Sequence, residues 1–122
     1  MTTGWRDRGQ AAVEFAIALP LVVVLVLGVI QVAVVARDQI AIELAARAGA
    51  RAAAVAAAPA NAARTAANGA TTLTPIDVTT TSTADRVVVA VKFTSRNRLP
   101  ILGLVIGDVE LSASVEMARE PP

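Results

Sequence analysis

The chain offers little to do chemistry with. Its 122 residues contain no His and no Cys, and Lys92 is its single lysine. The commonest general base, the commonest metal ligand, thiolates and disulfides are therefore all missing. A reaction would have to rest on carboxylates, hydroxyls or Lys92. Asp85, Asp108, Glu110, Glu116 and Glu120 are not spaced as a metal-binding loop or an acid–base couple. Gly103 and Gly107 are not followed by Lys-Ser/Thr, so they make no phosphate-binding loop. The Ser and Thr residues have nothing beside them that would activate a hydroxyl. No cofactor and no metal is expected. One carboxylate stands apart. Glu14 directly precedes a long uncharged run that opens at Phe15. It is either an interfacial carboxylate with water for a partner, or a charge that must find a partner when its helix packs among others.

The run beside Glu14 decides the class of protein. Residues 15–36 read FAIALPLVVVLVLGVIQVAVVA, 22 positions without a charge and with Gln31 as the single polar side chain. As a helix they would span about 33 Å, close to the hydrocarbon thickness of a bilayer. A buried helix of a soluble protein is the first alternative, but a chain of this size has no core able to surround it. A cleaved secretory signal is the second, but its apolar stretch is shorter and ends at a small-residue site. Arg6 and Arg8 precede the run, which places the N-terminus in the cytoplasm and residues from about Arg37 outside. Pro20 lacks an N–H and should kink or loosen the helix there.

With these residues in view, Arg8-Gly9-Gln10-Ala11-Ala12-Val13-Glu14-Phe15 resembles the processing site of a type IV prepilin. In that pattern a short basic leader ends in Gly, and the mature chain carries Glu at its fifth position before a long apolar helix. Counting from Gln10 makes Glu14 the fifth residue. The wording RGQAAVEFAIALPLVVVLVLGVIQ is similar to the TadE-like family of pilin-like proteins of tight-adherence (Tad/Flp) pilus systems. The closing LSASVEMARE is also similar to that family, and residues 59–98 are less so. Gln10 departs from the Phe or Met that opens many major pilins, which bears on N-methylation more than on cleavage.

The resemblance implies a structural subunit cut between Gly9 and Gln10 by a membrane prepilin peptidase. Its partners would be other pilin or TadE-like subunits, the pilus assembly platform and the lipid bilayer. It also implies that Glu14 neutralises the new α-amino group of Gln10, within a subunit or across to a neighbour, and so sets the register of assembly. The alternative function is an uncleaved, single-pass assembly factor with a small exported domain. An enzyme is disfavoured. Nucleic acid is not an expected partner, because the net charge is only +1 and aromatic residues make up 2%.

The remaining sequence divides by texture. Residues 1–9 are the leader, 10–36 the membrane half of the helix, 37–58 its exposed continuation, and 59–122 a small exported α+β region. The helix is expected to run to about Ala58 and stop at Pro59. Ala46, Ala50, Ala54 and Ala58 recur every four residues, with Gly49, Ala53 and Ala57 as a second row. These rows suit close helix packing in an assembly, or they reflect Ala abundance alone. Residues 59–70 allow a short helix ending at Asn68-Gly69. Ile76 and Val78 open a first strand. After a turn at Ala84-Asp85, Val87, Val89, Val91 and Phe93 form the inward face of a second. Val109, Leu111, Ala113, Val115 and Met117 do the same for a third. The fold class is therefore α+β, a long N-terminal transmembrane helix packed by a small three-stranded antiparallel sheet. The apolar segment 99–107 suits packing on the sheet, a place at the membrane surface or a contact with a neighbouring subunit, with packing within the domain expected first.

Overall fold

A computed structural model describes residues 3–95 and 107–120. The apolar segment 99–107 lies outside the described residues except for Gly107. Helix α1 runs Thr3–Val55 and helix α2 runs Pro59–Ala70. Three strands follow, β1 (Asp77–Ser82), β2 (Arg86–Ser95) and β3 (Val109–Ala118). They form one antiparallel sheet in the order β1-β2-β3. The arrangement is α+β. Two compact units divide the chain, Met1–Ala33 and Val34–Pro122.

The first unit is helical and apolar. Phe15, Leu21 and Leu25 are 68%, 73% and 65% exposed. A helix this apolar in the core of a soluble protein would be covered, and this one is not. The helix continues through Pro20. Pro20 has no N–H for the carbonyl of Ala16, a loss that membrane helices tolerate. Gln31 is the exception in this unit, only 8% exposed.

The second unit holds the core. Alternation places Val87, Val89 and Val91 of β2 inward, all fully buried, with Leu111 of β3 beside them. Val91 lies opposite Val78 and Ala113, and Val89 opposite Val115, so this face of the sheet is apolar across β2 and β3 and gives way to Thr80 and Ser82 along β1. β-branched side chains suit such a pleated, half-buried surface. Against that face α1 sets Ile42, Ala45, Ala46, Ala50, Ala53 and Ala54, and α2 sets Ala63 and Ala67.

The small side chains of α1 are what let these layers meet. A Cβ built on Gly49 would lie 3.1 Å from the Ala63 carbonyl oxygen and 3.1 Å from Val89 Cγ1. So Ala46, Ala50, Ala53, Ala54 and Gly49 are spent on packing inside this chain. Ala57 and Ala58 are exposed and take no part.

Two element boundaries differ from the sequence reading. α1 stops at Val55 rather than Ala58, where Ala56 N–H donates to Ala53 O at 3.4 Å and tightens the last turn. Pro59 does not merely end α1; it opens α2, where its missing N–H has no helical partner to lose. α2 in turn continues through Gly69 to Ala70, with Asn68 Nδ2 donating to the Arg64 carbonyl inside the helix instead of capping it. The expected turn holds. Thr83 N–H donates to Arg86 O at 2.9 Å, and Arg119 N–H donates to Asp85 O at 2.9 Å.

Candidate processing and assembly site

Gly9, Gln10 and Glu14 lie on α1, each exposed. Gln10 and Glu14 are one helical turn apart, and Gln10 Nε2 donates to Glu14 Oε1 at 3.5 Å, a long contact. It joins the two residues that the sequence pairs, but through the Gln10 side-chain amide. A Cβ on Gly9 would meet nothing within 4 Å. Nothing in the folded chain therefore requires glycine at this position. A requirement for it has to come from a molecule that binds the segment.

The backbone bears on access. The Gly9–Gln10 peptide sits inside continuous helix rather than in an extended strand. A protease that binds an extended backbone has to unwind this turn first. Gly9 lowers that cost by about 1 kcal/mol relative to Ala. Trp5, with Arg6 and Arg8 close by, is 84% exposed. An amphipathic ring next to cations suits the headgroup layer of a bilayer.

Two features of the second unit were not legible as sites. Ser95 Oγ donates to Asp38 Oδ2 at 3.1 Å, with Ser95 3% and Asp38 9% exposed. This buried bond pins the end of β2 to α1, across 57 positions of sequence. Pairing over such a distance leaves no local signal. The second feature is a cleft of about 610 Å³ that brings Lys92 together with Asp77, Asp108 and Glu110. Asp77 lies directly opposite Lys92 in the β1–β2 register. One lysine among carboxylates offers no nucleophile–base couple. Among the described residues, no three carboxylates come together as a cluster fit for a metal ion.

Among the described residues one long apolar helix, almost wholly uncovered over its most apolar stretch, precedes a small α+β unit in the chain. That layout fits the pilin-like class of membrane protein. Within it, residues 9–51 match the family model described as TadE-like protein, so this chain carries the TadE-like N-terminal region. The match takes in Gly9, Gln10, Glu14 and Pro20 together with the small-residue part of α1. No curated protein and no solved structure matches the chain. TadE-like proteins are structural components of pili rather than a family of enzymes.

Proposed function

We propose that this protein is a TadE-like pilin or minor pilin, a membrane-inserted structural subunit of a Tad/Flp-type pilus or related secretion apparatus. Arg6 and Arg8 hold its N-terminus in the cytoplasm, and residues from about Arg37 lie outside. A membrane aspartyl prepilin peptidase cuts between Gly9 and Gln10. Glu14 then meets the N-terminal end of a mature helix, its own or a neighbour's, and sets the axial register of assembly. Its other partners are fellow subunits, the assembly platform and the bilayer.

The observation that carries this reading is the family match spanning Gly9 to Arg51, laid over a helix whose apolar side chains have no cover. The second reading, an uncleaved anchored assembly factor, is favoured by the unbroken helix through the Gly9–Gln10 bond. Intact mass of the membrane-extracted protein separates them. The first reading expects a chain that begins at Gln10. The full-length mass alone would establish the second.

A further inference from the structure

In the unit Val34–Pro122 one face of α1 has no partner among the described residues. Ile40, Leu44 and Val55 are 59%, 52% and 68% exposed, and Arg47 and Arg51 are exposed between them. The spacing from Ile40 is four, three, four and four residues. These five positions share one stripe, a seam along the helix surface. The seam is about 22 Å long at the rise of an α-helix.

Its charge is of one sign. Among the described residues, Arg47 and Arg51 have no ion pair or hydrogen bond through their side chains. The two carboxylates of this stretch are engaged elsewhere. Asp38 is buried against Ser95, and Glu43 accepts from Gln39 Nε2 at 3.1 Å. Gln39 also donates to the Ser112 carbonyl of β3 at 3.2 Å, which draws the Gln39–Glu43 pair toward the sheet. The five seam positions therefore present apolar side chains and cations, with the half-buried Glu43 at their flank.

A second copy of this chain is a poor occupant in either symmetric alignment. A parallel, in-register pair sets Arg47 on Arg47 and Arg51 on Arg51. An antiparallel pair centred on Gly49 sets Arg47 on Arg51. Like charges facing across an interface act against the wrong partner. We infer that the Ile40–Val55 seam docks a helix of a different subunit, one that carries carboxylates four residues apart among apolar side chains. Arg47 and Arg51 select that partner, and Ile40, Leu44 and Val55 supply the contact area. The inference rests on reading the protein as one subunit among several, but it does not depend on cleavage at Gly9.

The double variant Arg47→Glu/Arg51→Glu keeps the apolar positions and reverses the charge, so it can stand in for the acidic partner. Both positions are exposed, and matched circular dichroism and melting would confirm that the variant folds. In detergent micelles, labelled full-length wild type and variant are mixed and association is read by energy transfer. The mixture should associate at least about tenfold more tightly than either protein alone, and should weaken by about tenfold between low and high salt. Leu44→Ser in the wild-type partner should abolish association. Wild type that associates with itself as tightly as the mixture does, a mixture that does not associate, or association that survives Leu44→Ser would each overturn the inference. In cells, a photo-crosslinking residue at position 44 should join a helix of a non-identical chain with carboxylates four apart. Crosslinking chiefly to a second copy would overturn it as well. None of these results depends on the intact mass, so failure here leaves the proposed processing standing.

Discussion

At the residue scale, the structure separates what Gly9 does for the fold from what it does for a partner. With open space around it, Gly9→Leu should leave the helix and its insertion unchanged. The same change should block passage of the bond through a narrow protease site. The expected outcome is accumulation of full-length precursor in the membrane, read by immunoblot and intact mass; normal maturation would remove this bond from consideration. Glu14 is argued from a different energy. An unpaired charge costs about 2.5–3.5 kcal/mol at the centre of a membrane helix and less at the edge where Glu14 lies, and a partner lowers that cost, so a correctly registered neighbour is favoured. Glu14→Gln keeps the shape and removes the charge. We expect normal insertion and cleavage, with incorporation into sheared surface pili reduced by about tenfold, equivalent to about 1.4 kcal/mol. Equal partitioning of variant and parent between pili and membrane would leave Glu14 as a solvated interfacial group.

At the scale of elements, the join between α1 and the sheet is the sensitive point. The core is built from Ala and Val with Ile42 as the one large side chain of α1 fully buried in it, so distances between layers are short. Gly49→Val would push a branched side chain against the Ala63 carbonyl and Val89. Overpacking of this kind costs about 1–3 kcal/mol, and no helix-propensity gain offsets it fully for a β-branched residue. Thermal unfolding of the Val34–Pro122 unit should move down by several degrees, and an unchanged melting temperature would show that the layers can yield. Ser95→Ala tests the buried bond at the other end of β2. It leaves the Asp38 carboxylate without its donor inside the protein, at a cost of about 1–3 kcal/mol. Chemical denaturation of Ser95→Ala beside Asp38→Asn/Ser95→Ala should show the double variant recovering part of the loss, because the amide carries no charge to bury.

For the whole molecule, the proposed function expects one membrane crossing, with the apolar helical unit in the bilayer and the α+β unit outside. A periplasm-active reporter fused after Pro122 should be active, and a reporter that works only in the cytoplasm should be silent. The reverse result would overturn the topology. The Arg residues on the outer seam of α1 belong to this scale too, since they act only when a second chain is present.

What was legible in the sequence was whatever repeats locally. The uncharged run 15–36, the period of two in 87–93 and 109–117, and the Gly9–Glu14 spacing are patterns within one element. Each follows from side-chain chemistry and backbone period, so the helix, the sheet and the candidate site could be read without coordinates. What the tertiary structure decided was where faces point. The Ala and Gly rows of α1 read equally well as an assembly surface, and packing showed that Gly49, Ala46, Ala50 and Ala53 are used inside the chain. Pro59 read as a stop, and the packing of Ala63 and Ala67 made it the start of α2. The Asp38–Ser95 bond and the cationic seam depend on residues brought together, or turned apart, by folding. A one-dimensional pattern records which side chains share a face of a helix or strand; only the packed layers show which face is covered and which is left for another protein.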